Sequence, residues 1–197
     1  MQNTNYTKIM PSFEIGDYIM REENNEDVVD FFSYYSDPMV HRYILCNIPR
    51  NLEEAKHDFY YWKNTFTRGD GAYFAIAKKS DNKMIGSIGL TGFNNYHKRI
   101  EVSYDLSKDY WHKGIMSMAL KKICDYGFYE FKVNRIEANV VPDNFSSRNL
   151  LTNNGFKLEG YLRQHRYHYG EFKDVVFFSL LRDDFYKKIN NKNCNIN

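Results

Sequence analysis

YWHKGIM at residues 110–116 is the stretch that decides the fold, because it joins an alternating strand pattern to a helical one. The strand pattern occupies residues 100–106, and the apolar residues after Gly114 recur at helical spacing. A strand, a short turn with glycine and a helix N-terminus direct several unpaired backbone N–H groups to one point. With the positive end of the helix dipole, these groups predict an anion site suited to a diphosphate.

Two common nucleotide-binding loops are excluded by the residues of this turn. A Walker loop requires an earlier glycine and a Ser or Thr after Gly-Lys, and both are missing. A dinucleotide fingerprint requires three spaced glycines, whereas this turn holds Gly114 alone. The turn therefore matches neither of these two loops.

Three blocks of the sequence resemble the RimJ/RimL branch of the GNAT acyltransferases. WHKGIM at 111–116 is similar to the branch's Trp-Gly-Lys-Gly-Tyr-Ala. NFSS at 144–147, followed by NGFKLEG at 154–160, resembles its Asn-x-x-Ser and Leu-Gly-Phe-x-x-Glu-Gly. GYLR at 160–163 and GEFKD at 170–174 resemble its closing hairpin. Order and spacing agree from about Asp17 to Phe185, which is nearly the whole chain.

The resemblance implies the GNAT fold, and the local patterns agree with it. They predict an α+β protein whose mixed central sheet has about seven strands and is flanked by about four helices. Asn51 and Glu54 form a capping pair, and Asn144 caps a short helix that stops at Gly155. We expect one domain at residues 11–186 and a polar, disordered tail at 187–197.

The composition limits the possible partners. A net charge of +2 is too small to indicate a polyanion, so nucleic acid is not an expected partner. A strand strip of basic and aromatic residues is better explained as a hydrated hairpin beside the acceptor cleft; its members are Arg163, His165, Tyr167 and Tyr169. The basis for a nucleic-acid surface is therefore weaker than that for an acceptor cleft.

Cysteine and histidine spacing gives no support to a metal site. Cys46, Cys124 and Cys194 are widely separated and odd in number, which supports neither a disulfide framework nor a zinc cluster. His165 and His168 have no further ligand at suitable spacing, so we expect no metal. With no signal peptide or membrane-length apolar run, the expected compartment is the cytoplasm.

The resemblance implies that acetyl-CoA is the cosubstrate. Main-chain amides of the turn would hold the diphosphate, at His112, Lys113, Gly114, Ile115 and Met116. The pantetheine arm would lie along Tyr104, Asp105 and Leu106 and contact Asn144 and Ser147. Met116 and Met118 replace the branch's small residue and glutamate, and the bulk of Met116 is expected to crowd the turn.

Two residues are candidates for acid–base chemistry. Glu101 begins Glu-Val-Ser-Tyr, which resembles the branch's Glu-Ile-Gly-Tyr, so it is a candidate general base. The alternative is an exposed strand carboxylate that pairs with Arg99 or with a neighbouring strand. The resemblance implies that Ser147 lies near the thioester sulfur, where it would return a proton to the leaving thiolate directly or through water. Many GNAT enzymes carry an acid tyrosine where this chain has Leu151.

The sequence thus predicts an N-acetyltransferase that acetylates a primary amine by direct transfer in a ternary complex. A protein N-terminal α-amine is the first choice of acceptor, because it is more often neutral at physiological pH than a lysine. A small-molecule amine, such as a polyamine or an antibiotic, remains an alternative, as does a non-catalytic acyl-CoA sensor of the same fold. A monomer or a homodimer is expected, without membrane association.

Overall fold

The computed structural model describes the backbone of residues 9–193 and the side chains of 9–188. One eight-stranded sheet has the order β1-β2-β3-β4-β5-β6-β8-β7. Its strands are β1 (Phe13–Ile15), β2 (Tyr18–Glu22), β3 (Ala72–Lys78), β4 (Met84–Asn94), β5 (Arg99–Leu106), β6 (Arg135–Val140), β7 (Lys157–His168) and β8 (Glu171–Leu181). The helices are α1 (Asp27–Tyr35), α2 (Pro38–His41), α3 (Leu52–Lys63), α4 (Ile115–Tyr129), α5 (Phe145–Asn153) and α6 (Arg182–Asn193), with a 3-10 turn at Lys108–Tyr110.

The predicted α+β class and mixed sheet are confirmed, with more elements than expected. The added strand β1 is a three-residue segment, too short to show an alternation in sequence. Helix α6 continues to Asn193, which corrects the disordered tail predicted from 187 onward. Residues 194–197 of that prediction lie outside the described residues.

Apolar cores lie on both faces of the sheet. On one face α4 and α5 cover a large core that contains Phe74, Leu120 and Leu151. On the other face α1 and α3 enclose a smaller core around Phe31 and Phe59. Burial on two faces explains why β3 and the first half of β4 are buried without alternation.

Local signals position the elements around the cleft. The side chain of Asn51 accepts a hydrogen bond from the amide of Glu54 at 2.9 Å, as the capping pair predicted. Asn144 caps α5 in the same way. Gly155 follows the last residues of that helix with φ of +99°, the left-handed region that glycine favours. No helix in the described part of the chain has the length and apolarity needed to cross a membrane.

Strands β5 and β6 separate soon after they meet. They are parallel and pair at three positions, the last of which is Glu101 with Glu137. Strand β5 continues to Leu106 and β6 to Val140, while β6 stays paired with β8 along its whole length. The facing edges of the two strands therefore diverge and leave a wedge-shaped gap bordered by main-chain groups.

Candidate active site

The turn before α4 presents a run of unsatisfied amides. Within the described residues, the backbone N–H groups of 112–117 make no hydrogen bond, whereas that of Met118 donates to the Gly114 carbonyl at 3.2 Å. Gly114 has φ of +75°, and a Cβ at that position would meet nothing within 4 Å. A helix N-terminus with free amides and open space beside it is suited to an anion.

The side chains of this turn leave the amides accessible. His112 and Lys113 are exposed, and the Lys113 ammonium lies 4.9 Å from the centroid of the Tyr110 ring. Ile115 and Met116 are buried in the core beneath α4. The side chain of Met116 thus packs in the core, and the expected crowding of the turn stays a prediction.

Trp111 ties the turn to the end of β5. Its indole N–H donates to the Leu106 carbonyl at 2.8 Å, and its ring packs against both apolar cores. The positions of the amide cluster and of the wedge-shaped gap are therefore fixed relative to each other.

Two hydroxyl groups meet on the α4 side of β5. The Tyr104 phenol and the Ser147 hydroxyl are 2.7 Å apart, and the Ser147 amide donates to the Asn144 side chain at 3.1 Å. Burial raises the pKa of Tyr104, although the hydrogen bond with Ser147 lowers it in part, so the phenol holds its proton. Leu151 is fully buried and presents no polar group. The pair therefore places a protonated phenol beside the start of α5.

Glu101 lies on the opposite face of β5, beside the point where the strands separate. Its carboxylate accepts a hydrogen bond from the Asn139 side-chain amide at 3.0 Å and lies 3.6 Å from the Arg166 guanidinium. Arg99, the partner considered from sequence, pairs instead with Glu137 at 2.9 Å. Glu101 is half-buried, so its carboxylate is partly open to solvent at the mouth of the gap.

Asp105 has a different environment from the rest of the cleft. The Tyr34 hydroxyl and the Ser87 hydroxyl donate to its carboxylate at 2.7 and 2.8 Å. Burial raises the pKa of Asp105 to about 6, against the lowering effect of these two hydrogen bonds. Its side chain is thus committed to the α1 side of the sheet, and only its main chain borders the gap.

The hairpin of β7 and β8 departs from the predicted alternation. A bulge between Leu162 and Arg166 interrupts the register, and Gln164 adopts φ of +54°. The predicted strip of alternating basic and aromatic side chains is therefore wrong as a continuous face. Arg166, at the end of the bulge, lies against Glu101. The Nε2 atom of His168 lies 3.0 Å from the Cys46 carbonyl oxygen.

The sequence analysis did not place Asn139 or Arg166 beside Glu101, and it assigned no role to the hydroxyl of Tyr104. Asn139 carried a usable signal, since it is the polar member of an alternating strand that the fold places beside Glu101. The placement of Arg166 depends on the bulge between Leu162 and Arg166, which the sequence pattern does not predict. Among the described side chains, no three His, Cys, Asp or Glu residues are arranged to hold a metal ion.

Comparisons with known proteins bear on this site. A family model described as an acetyltransferase (GNAT) domain matches residues 18–157. The uncharacterized N-acetyltransferase p20 of Bacillus licheniformis is 33% identical over 166 residues, covering 84% of this chain and 93% of that protein. Spermidine N(1)-acetyltransferase of Escherichia coli K12 is 24% identical over 105 residues, covering 53% of this chain and 56% of that protein.

A solved structure extends the likeness to three dimensions. The ribosomal-protein-S5-alanine acetyltransferase from Vibrio fischeri has a TM-score of 0.74 and 26% identity, covering 89% of this chain and 99% of that one. Residues 18–157, which the family model matches, include the diverging strands and the turn before α4. The wedge-shaped gap therefore lies within the shared architecture.

Proposed function

Because the chain belongs to the GNAT acetyltransferase family and is an N-acetyltransferase, we propose that it acetylates the α-amine of a protein N-terminus. The family uses acetyl-CoA. The proposal assigns the diphosphate of this cosubstrate to the amides of the turn before α4 and its pantetheine arm to the gap between β5 and β6.

The observation that carries the cosubstrate assignment is the set of free amides at residues 112–117. Their number suits the several oxygens of a diphosphate, and the open space beside Gly114 leaves room for it. Main-chain groups of residues 104–106 border the gap and can pair with the amides of pantetheine. Asn144 and Ser147 at the start of α5 lie beside the Tyr104 end of this path.

The proposed chemistry uses the two faces of β5. The lone pair of the amine attacks the thioester carbonyl, a C–N bond forms, and the C–S bond breaks with its electron pair leaving on sulfur. Glu101 accepts the proton that the amine nitrogen loses. The Tyr104–Ser147 hydroxyl pair returns a proton to the thiolate. The remaining acceleration comes from holding the reactants together and from main-chain polarisation of the carbonyl.

An α-amine fits this site better than a more basic amine. Near pH 7.4 roughly a fifth to a third of an α-amine is neutral, against about a thousandth of a lysine side chain. A single carboxylate base therefore has less deprotonation to perform. Arg166 beside Glu101 also places a positive charge at the mouth of the gap, which disfavours a polycation.

Relatives support two acceptor classes. The Vibrio fischeri structure is named as an enzyme for the alanine of ribosomal protein S5, and it covers most of this chain. The Escherichia coli relative is named for spermidine, and it covers about half of this chain. A polyamine is therefore the second candidate, with the charge of Arg166 against it.

The test is thiol release from acetyl-CoA over a panel of alanyl and seryl peptides, spermidine and aminoglycosides. We expect the highest kcat/KM with an N-terminal peptide and little turnover with spermidine. A preference for spermidine would replace the proposed acceptor. Coenzyme A binding without thiol release from any amine would favour an acyl-CoA sensor.

Gly114→Ala tests the diphosphate site separately by calorimetry with coenzyme A. The new methyl group would occupy the space assigned to the diphosphate, so we expect the Kd to rise about tenfold. Gly69→Ala is the matched control, because Gly69 has φ of +70° and nothing within 4 Å of its Cβ position. Equal Kd values for the two variants would remove the diphosphate from this turn.

We also assign the protein to the cytoplasm. The described cysteines are free, Cys46 at the surface and Cys124 in the core, as suits a reducing compartment. Fractionation of cells that express the protein checks this, and recovery outside the cytoplasm would contradict it.

A further inference from the structure

Asn139 occupies the point where β5 and β6 separate. It lies two residues beyond Glu137, the last residue of β6 that pairs with β5. Its side-chain Nδ2 donates to the Glu101 carboxylate at 3.0 Å. This hydrogen bond fixes the orientation of the amide, because the carboxylate can accept but not donate.

The other end of the same amide is unsatisfied. The Asn139 Oδ1 is shielded from solvent and has no hydrogen-bond partner among the described residues. A buried polar atom without a partner costs roughly 1–3 kcal/mol. An acceptor atom left in this state beside a candidate base is suited to a donor that arrives with the substrate.

We propose that Asn139 binds the acceptor amine, so that its Oδ1 accepts one N–H while Glu101 accepts the other. The proposal rests on the proposed function, since it takes Glu101 as the base. A neutral primary amine has two N–H groups and one lone pair. With both N–H groups held on the protein side, the lone pair is directed at the thioester carbonyl.

The two N–H groups have different fates in the reaction. The proton bound by Glu101 is removed as the C–N bond forms and the C–S bond breaks. The hydrogen bound by Asn139 stays on nitrogen and becomes the N–H of the amide product. An N-methyl amine presents a carbon to one of the two oxygens, so this pair of residues selects unsubstituted primary amines.

The test compares the best primary amine of the panel with its N-methyl derivative. In the wild-type protein we expect methylation to lower kcat/KM roughly ten- to a hundredfold, since a buried acceptor loses its partner. In Asn139→Leu we expect the two acceptors to differ by less than about threefold, because the acceptor oxygen is gone. Loss of the hydrogen bond to Glu101 affects both amines alike and cancels in this ratio.

Asn139→Asp is the companion variant, because it keeps an acceptor oxygen and loses the donor to Glu101. We expect it to retain discrimination against the N-methyl amine. A second carboxyl group beside Glu101 disfavours ionisation of both, so the pH–rate profile should shift toward alkali. A structural role for Asn139 would leave the ratio of the two amines the same in the wild type and in Asn139→Leu.

Coenzyme A titration is the control for folding of each variant. It also allows the role of Asn139 to be tested separately from the proposed function. If the wild type acetylates primary amines and Asn139→Leu keeps the full discrimination, the role of Asn139 is overturned while the proposed function stands. If no amine is acetylated although coenzyme A binds, the proposed function fails and the inference falls with it. If Asn139→Leu does not fold, loss of discrimination in Asn139→Asp overturns the assignment.

Discussion

Glu101 and Asp105 lie four residues apart on the same face of β5, yet they have opposite surroundings. Glu101 contacts an amide and a guanidinium at the mouth of the gap. Asp105 is held by the hydroxyls of Tyr34 and Ser87 below α1. Strand β5 directs both side chains to the same face of the sheet. Their environments differ because α1 covers Asp105, whereas Glu101 lies at the open mouth of the gap.

A second buried acid, Glu23, interacts electrostatically with Asp105. Glu23 is 3% exposed, and its Oε2 has no partner among the described residues. Burial, and then the charges of Asp105 and Asp27, raise the pKa of Glu23 to about 8. Glu23 therefore holds its proton near neutral pH and influences stability, whereas Glu101 at the gap is the proposed proton acceptor.

The largest effect is expected for Glu101→Gln. Removing the base should lower kcat/KM about a hundredfold at neutral pH, equivalent to about 2.7 kcal/mol, and shift the pH–rate profile toward alkali. Coenzyme A affinity should not change. Glu14→Gln on β1, at the opposite edge of the sheet, is the control and should retain wild-type activity. An unchanged pH–rate profile in Glu101→Gln would mean that Glu101, like Asp105, has a structural role.

Glu23→Gln should alter the pH dependence of stability. Because the pKa of Glu23 is raised from 4.5 to about 8 on folding, the folded state binds the proton more tightly. The free energy of unfolding of the wild type should therefore fall as the pH rises from about 4.5 to about 8. In Glu23→Gln this fall should shrink by an amount on the order of 2 kcal/mol, measured by urea denaturation.

Wild-type kinetics are expected for Glu23→Gln at pH 7. A stability curve identical to that of the wild type across this range would mean that Glu23 is solvated in solution. Glu23 and Glu101 would then no longer differ in their exposure to solvent.

The smallest effect is expected for Tyr34→Phe. The change removes one hydrogen-bond donor from the Asp105 carboxylate and leaves the ring packing with Phe31 intact, so stability should fall by about 1.5 kcal/mol. The pKa of Asp105 should rise further, because the Tyr34 hydrogen bond lowers it. Thermal denaturation measures the loss, and Tyr96→Phe, at an 89% exposed site, is the neutral control. Equal melting temperatures for the two variants would exclude a stabilising bond.

The sequence predicted what depends on local pattern. The alternation of β5, the Asn51 and Asn144 caps and the helix after Gly114 are all present, and the family expected from the three blocks is confirmed. These features depend on residues within a few positions of one another, where period and capping chemistry act directly.

The sequence did not predict what depends on distant contacts. Asn139 is 38 residues from Glu101, and Arg166 reaches that carboxylate from a bulged strand on another part of the sheet. The packing of Met116 in the core was not expected, because a substitution in a motif does not reveal which side of the helix carries the new side chain. The roles assigned to Glu101, Ser147 and the residues of the turn stay predictions.

The brief contact between β5 and β6 has a consequence for molecular recognition. Since three residue pairs join the strands before they part, an incoming pantetheine arm would complete the sheet as a short guest strand. Recognition through the peptide backbone depends little on side-chain identity, so we expect His112 and Met116 in this turn to be compatible with the proposed ligand. Deuterium uptake at these strand edges should accordingly slow when the carrier is added, and it should do so whichever amine is acetylated.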